Sequence, residues 1–239
     1  MKRALITGGS GDIGAAICRR LAAAEIHVIV HANRHLERAE AVVESIRAAG
    51  GSAEAVEFDV TDTGLTEHAL QALLPQDPIQ ILVHNAGIHD DAPMAGMSPT
   101  QWQRVIDVSL NGFFNVAQPL LLPMIRSRWG RIIGLSSIAG VMGNRGQSNY
   151  AAAKSGLHGA CKSLAIELAS RGITANVVAP GIIQGRLTAE IFDREQIDRL
   201  VPMKRAGTPA EVAALVNFLC SDEAAYVSGQ IISINGAMA

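Results

Sequence analysis

Seven short aliphatic runs recur along the chain, and a helical pattern stands between each run and the next. RALIT, HVIVHA, AEAVEFDV, IQILVHNAG, RIIGLSS, ITANVVAP and QIISING read as strands. Their apolar residues are nearly continuous, as in strands covered on both faces. A strand, a helix and a further parallel strand join through a right-handed crossover. The order therefore predicts an α/β fold: a doubly wound, seven-stranded parallel sheet with helices on both faces. Ligands of such sheets bind outside the carboxyl ends of the strands, and the chain's least ordinary residues gather at those ends.

At 239 residues, 49% of them hydrophobic, the chain suits one domain spanning residues 1–239. A formal charge of -2 gives no reason to expect nucleic acid or an anionic membrane as a partner. Cys18, Cys161 and Cys220 lie far apart in apolar contexts and read as core thiols of a reducing compartment. The first apolar run is too short for a signal peptide, and later apolar stretches meet Pro, Asn or charge before membrane-spanning length. A cytoplasmic location is expected. The histidines are scattered without acid or cysteine partners at ligand spacing, so no metal site is expected.

TGGSGDIG, Thr7–Gly14, follows the first strand and opens a helix. Gly9, Gly11 and Gly14 fit G-x-G-x-x-G, and the strand-turn-helix setting gives the match its weight, pointing to a Rossmann-type dinucleotide site. Glycines let a pyrophosphate approach the backbone, and the helix N-terminus offers free N–H groups. A tight turn alone would need fewer glycines. Gly8, Ser10, Gly11, Asp12, Ile13 and Gly14 are the expected contacts. At the end of the second strand, Ala32 stands where an NAD enzyme usually has an acid, and Asn33, Arg34 and His35 follow. NADP(H) is thus favoured over NAD(H), although Arg34 would equally suit a solvated helix start. Asp59 and Val60 end the third run, where they could face an adenine or simply form a turn.

SNYAAAKSG places Tyr150 and Lys154 one helical turn apart on one face. Hydride transfer to a ketone needs a proton donor at the carbonyl oxygen. A free phenol titrates near ~10, and a neighbouring ammonium lowers that value. Ser137, at the end of the fifth run, could donate to the same oxygen. Singly, each residue is ordinary: a strand-end cap, a surface pair. Together, behind a glycine turn, they suggest a reductase.

With these residues in view, the chain resembles the short-chain dehydrogenase/reductases over essentially its whole length. Within them it is most similar to the 3-oxoacyl-(acyl-carrier-protein) reductases. TGGSGDIG, Asn85-Ala86-Gly87, Asn111 in SLNGFF, Ser137, Tyr150-x-x-x-Lys154, Pro180-Gly181 and the tail from RAGTPAEV to NGAM carry the likeness. The resemblance implies that Tyr150 is the general acid and that Ser137 orients the carbonyl. It implies that Lys154 holds the nicotinamide ribose and lowers the Tyr150 pKa, and that Asn111 anchors a relay water. Tyr150, Lys154, Asn85, Ala86, Gly87, Pro180, Gly181 and Ile183 join the expected cofactor contacts. The implied reaction is NADPH-dependent reduction of a 3-oxoacyl thioester on acyl carrier protein, in fatty acid or related acyl chain synthesis. The alternative is a dehydrogenase of a free alcohol or ketone. A homotetramer, a substrate lid at about 183–205, and docking of the acidic carrier by Arg128 and Arg171 near the site mouth are also implied.

Several positions depart from the family's pattern. Asp12 stands where the family has glycine, and its charge suits a pyrophosphate only if it turns away to cap the helix. Gly11 replaces an arginine that touches the 2′-phosphate, so the NADP(H) expectation rests on Arg34 and its neighbours. His84 replaces the first Asn of Asn-Asn-Ala-Gly. Gly185 stands where the carrier-protein reductases have a Thr that contacts the nicotinamide amide. IHDDAPMAG is also unusual beside the site. These differences bear on the substrate more than on the chemistry.

Overall fold

The computed structural model describes residues 1–74 and 77–239. Its strands are β1 (Arg3–Thr7), β2 (His27–Ala32), β3 (Ala53–Glu57), β4 (Ile81–His84), β5 (Gly130–Leu135), β6 (Ile173–Pro180) and β7 (Ile231–Ile234). They form one parallel sheet in the order β3-β2-β1-β4-β5-β6-β7. The seven-stranded doubly wound sheet is as the sequence predicts. Between the strands run α1 (Asp12–Ala22), α2 (Leu36–Ala48), α3 (Thr63–Leu73), α4 (Pro99–Ile106), α5 (Gly112–Ser127), α6 (Ile138–Met142) and α7 (Ser148–Leu168). After β6 come α8 (Arg186–Ile191), α9 (Arg194–Leu200) and α10 (Pro209–Cys220).

Successive strand residues point to opposite faces, and each face has its own core. Ala4, Ile6, Val28, Val30, Val83 and Ile133 pack under α1, α2 and α10. Leu5, Ile29, Leu82, Ile132, Ala175 and Val177 pack under α3, α5 and α7. The nearly unbroken apolar runs follow from this two-sided burial.

α4 and α5 join through a π-helical turn, Asp107–Asn111, into one helical stretch Pro99–Ser127. Pro119 and Pro123 lie inside α5 without ending it. By length and composition this stretch is apolar enough to cross a membrane, contrary to the sequence expectation. One face explains part of that character: Phe113, Val116, Leu120 and Met124 are buried against the sheet. Phe114 and Leu122 on the same helix are exposed.

β3 stops at Glu57, short of the predicted Val60, and three short elements lie outside the sequence expectation: the 3-10 turn Met94–Gly96, α6, and the 3-10 turn Ala169–Arg171 that closes α7.

The chain leaves β1 outward through β2 and β3, then returns to β4 on the other side of β1. The crevice between the carboxyl ends of β1 and β4 is the topological switch point.

Candidate active site

At the switch point one hydroxyl ties the two strand ends together. Thr7 Oγ1 accepts hydrogen bonds from the amides of Asn85 and Ala86, both 3.0 Å long. Its own hydrogen is then free for His84 Nδ1, 3.2 Å away. That bond leaves His84 Nε2 to donate to the carbonyl of Ser109 at 3.2 Å. Asn85 completes the clamp, its Nδ2 donating to the carbonyls of Thr7 and Gly8 at 3.1 and 2.9 Å.

The glycine turn is shaped for close approach. Gly8 has φ +62, in the left-handed region. A Cβ on Gly14 would lie 2.3 Å from the Gly8 carbonyl oxygen, whereas one on Gly11 would meet nothing nearer than 3.6 Å. No side chain caps the N-terminus of α1. A bare helix start behind a turn too tight for side chains fits the pyrophosphate of a dinucleotide. Asp12 does turn away, but it does not cap its own helix: its Oδ2 accepts from the amide of Arg186, 3.1 Å away.

Behind the turn, His31 is buried and accepts from the Gly8 amide at 3.1 Å, so its Nε2 donates to the Phe58 carbonyl at 2.8 Å. Burial pushes the His31 pKa down to about 4, with the Phe58 carbonyl and Asp59 opposing. Burial, then the Lys154 charge, pushes His84 down to about 3. Both imidazoles are neutral in the folded chain. The unfolded chain takes up these protons near pH ~6.5, so stability is full above that pH and is lost as pH falls toward 4. Between pH 7 and 4 the folding free energy should drop by about 3 kcal/mol from His31 alone. Urea unfolding at the two pH values measures this, and equal midpoints would show that the imidazoles are not held neutral.

Beyond the carboxyl ends of β2 and β3 lies a cavity of about 460 Å³ lined by Asn33, Arg34, His35, Asp59, Thr61, Ile88, Arg104, Asp107 and Val108. Asp59 Oδ1 is engaged by the Thr61 amide and hydroxyl. The Val60 side chain is buried away from it, against Gly112. Arg104 enters from α4 and was not foreseen from the sequence. Nor was Glu57, which the parallel register sets beside Ala32 and whose carboxylate accepts from the Leu36 amide at 3.0 Å.

Ser137, Tyr150 and Lys154 are brought together at the carboxyl ends of β4 and β5. Ser137 caps α6 through the Ala139 amide at 3.2 Å. Tyr150 is half-buried in the first turn of α7. Burial raises its pKa, a hydrogen bond with Ser137 opposes, and the Asp91 carboxylate raises it further. Lys154 is buried, its Nζ donating to the Leu135 carbonyl at 2.8 Å and standing 5.7 Å from the Tyr150 ring centre. Burial lowers its pKa to about 8. Among the chain's own groups the phenol is therefore shifted up, not down as the sequence reading expected. Asn149, unnoticed in the sequence, seats this helix start. It is fully buried, donates to the Asp90 and Gln101 carbonyls at 2.9 and 3.1 Å, and accepts from the Tyr150 amide.

Asn111 is not brought to this cluster. It is exposed, and its Nδ2 donates to Asp107 at 2.7 Å. Two residues earlier, Ser109 is fully buried and its Oγ has no hydrogen-bond partner among the described residues. A Cβ on Gly87 would stand 2.9 Å from Lys154 Nζ and 3.3 Å from Ser109 Oγ, so both face the same small space. Two positions along a helix differ by roughly 200°, which carries Asn111 to the outer side when Ser109 faces in.

Gly181 follows β6, packed so closely on Asn235 that a Cβ would lie 2.8 Å from its Cα. Pro180 and Ile183 are buried beside it. Arg128 and Arg171 are exposed neighbours, Arg128 Nη2 donating to the Ser170 carbonyl at 3.2 Å. They precede the amino ends of β5 and β6, whereas Ser137 follows the carboxyl end of β5. Six strand residues span roughly 20 Å, so these arginines do not flank the site mouth of their own chain.

A family model described as enoyl-(acyl carrier protein) reductase matches residues 9–238. The chain is 42% identical over 236 residues to a 3-oxoacyl-[acyl-carrier-protein] reductase FabG of Aggregatibacter actinomycetemcomitans, covering 98% of both chains. It is 42% identical over 240 residues to one of Staphylococcus aureus, covering 99% of this chain and 98% of that one. A Synechocystis 3-oxoacyl-[acyl-carrier-protein] reductase is 42% identical over 237 residues, 98% of this chain and 96% of the relative. With the glycine turn, the switch-point crevice and the Ser137–Tyr150–Lys154 cluster, these likenesses establish that the chain belongs to the short-chain dehydrogenase/reductase family.

Proposed function

We propose that the protein reduces a 3-oxoacyl thioester, carried on acyl carrier protein, to the 3-hydroxyacyl thioester, with NADPH as reductant. The observation that carries this reading is the convergence of Ser137, Tyr150 and Lys154 beside the glycine turn. The relatives named for this reaction span nearly the whole chain. A phenol with a hydroxyl beside it suits a carbonyl oxygen that must gain a proton, which favours ketone reduction over the enoyl reduction of the family model's description.

A bound nicotinamide supplies the hydride. Tyr150, whose pKa burial raises, gives its proton to the developing alkoxide, and Ser137 donates to the same oxygen and orients the carbonyl. Lys154, largely charged at pH 7, holds ribose hydroxyls and lowers the cost of charge on the phenol as the proton leaves. Ser109 takes the place beside Lys154 that the resemblance implied for Asn111: its unpartnered hydroxyl holds the water that returns a proton. Arg34 and Arg104 line the cavity, Arg104 also pairing with Asp90 at 3.5 Å, while the acids of the cavity are engaged by neighbouring groups, Asp59 with Thr61 and Asp107 with Gln103 and Asn111. That balance favours a 2′-phosphate.

The exposed Phe114, Leu122 and Ile166 on α5 and α7 support assembly into a tetramer. Arg128 and Arg171 offer an acidic carrier a surface that could serve only a neighbouring copy's mouth. A cytoplasmic location fits a substrate of this kind.

Turnover of acetoacetyl-carrier protein and of an acetoacetyl pantetheine mimic, each with NADPH and NADH, tests the reading. Both substrates should be reduced, NADPH should be preferred, and Arg128→Glu with Arg171→Glu should raise KM for the carrier substrate alone. Turnover of free alcohols with neither thioester reduced would sink the thioester reading. Equal use of NADH would sink the 2′-phosphate assignment.

A further inference from the structure

Asp12 and Gly185, two of the departures from the family's pattern, touch each other. They are far apart in sequence, yet Asp12 Oδ2 accepts from the amide of Arg186, the first residue of α8, at 3.1 Å. α8 has no side-chain cap of its own. The carboxylate at the glycine turn therefore acts as its cap from across the cleft. A Cβ on Gly185 would lie 2.5 Å from Asp12 Oδ2 and 3.3 Å from its Cγ. Gly185 has φ 168, extended backbone that any residue adopts, so the backbone does not demand glycine there. The space taken by Asp12 does.

This contact has no substitute nearby. Among the described residues, the Asp12 bond is the only hydrogen bond that ties residues 185–200 to the chain outside 183–205. The base of the segment is fixed separately, by Gln184 N to the Gly207 carbonyl and by Gly207 N to the Ile182 carbonyl. The other end is fixed by Met203 N to the Gly236 carbonyl at 3.2 Å, so among the described residues α8 and α9 are hydrogen-bonded to the rest of the chain at their two roots and at one point between them.

We propose that Asp12 and Gly185 form a single latch that fastens the lid, residues 183–205, to the glycine turn and so slows cofactor release. The carboxylate grips the start of α8, and the missing side chain at 185 lets it reach. Asp12 is a positioning residue: it acts through the lid and takes no part in the proton transfer. The release half of the proposal rests on the reductase reading; the latch itself does not.

Hydrogen exchange of the full chain, measured without cofactor, tests the latch directly. Amides of 186–191 should exchange about tenfold faster in Asp12→Gly, the worth of one charge-assisted hydrogen bond. Gly185→Ala should match it, since its methyl drives the carboxylate off. The double variant should exchange no faster than either single one, because both break the same contact. Asp12→Asn, which keeps an acceptor oxygen, should fall between. Exchange elsewhere in α1 and β1 should be unchanged, which separates loss of the latch from loss of the fold. Unaltered exchange in Asp12→Gly, or single effects that multiply in the double variant, would overturn the latch. NADPH release followed by stopped-flow fluorescence should speed up in the same variants. Faster exchange with unchanged release would overturn the gate while leaving the reductase reading standing.

Discussion

Replacing Tyr150 with phenylalanine is expected to lower kcat about a thousandfold while leaving NADPH affinity and the melting temperature nearly unchanged. General acid catalysis contributes about 10² to 10⁴ in rate, and this substitution removes the only proton at the end of that side chain. The ring itself remains. Its backbone amide still donates to Asn149, and Asn149 still holds the Asp90 and Gln101 carbonyls, so the first turn of α7 stays seated. Lys154 keeps its bond to the Leu135 carbonyl, which does not pass through the phenol. Turnover and NADPH fluorescence titration on the same preparation give the two readings. A variant that retains more than a tenth of the wild-type kcat would remove Tyr150 from the role of acid. A variant that loses cofactor binding as well would place the residue in the cofactor's support instead.

Gly14→Ala should be nearly as severe, for a different reason. The added methyl would lie 2.3 Å from the Gly8 carbonyl oxygen, 2.9 Å from Gly9 Cα and 2.9 Å from Asn85 Nδ2. Two of these are backbone atoms, and the third is the amide that clamps the β1 and β4 ends. None is the free end of a flexible side chain, so the first turn of α1 must lift off the loop. Overpacking of this kind typically costs about 1–3 kcal/mol. The displaced turn should also weaken NADPH binding by about a hundredfold, through loss of the helix-start geometry. Gly11→Ala is the contrast, since its methyl would meet nothing nearer than 3.6 Å. It should leave the melting temperature alone, so any loss of affinity there reports contact with the ligand. If Gly14→Ala melts and binds like the wild type, the close packing of the turn is not what shapes the site.

The seven strands were legible because burial on both faces leaves almost unbroken aliphatic runs, and the glycine turn was legible because its neighbours are a strand and a helix. β3 was read too long. His31 holds the Phe58 carbonyl from a neighbouring strand, and no local pattern carries such a contact. Five-residue α6 is too short to show a period of its own. In the site, the Tyr150 and Lys154 spacing survives because both lie on one regular helix. Ser109, Asn149, Glu57 and Arg104 come into position through pairing across the fold, and their types are unremarkable in the sequence. The family resemblance points to Asn111 as the holder of a water, but the helix periodicity changes at that point and Ser109 is the residue that faces Lys154. Asp12 could be seen to need a place for its charge, though its partner lies at Arg186, far along the chain.

The π-helical turn at Asp107–Asn111 has a consequence for how this part of the molecule can change. A wide turn absorbs one extra residue without rotating the helices on either side. Losing a residue here would tighten the turn into regular helix, with Val105 before it and Phe113, Val116 and Leu120 after it still seated in the core. What would disappear is the inward reach of Ser109. The segment beside Lys154 can thus shorten without unseating the packing on either side, and the loss falls on the hydroxyl that it turns toward Lys154.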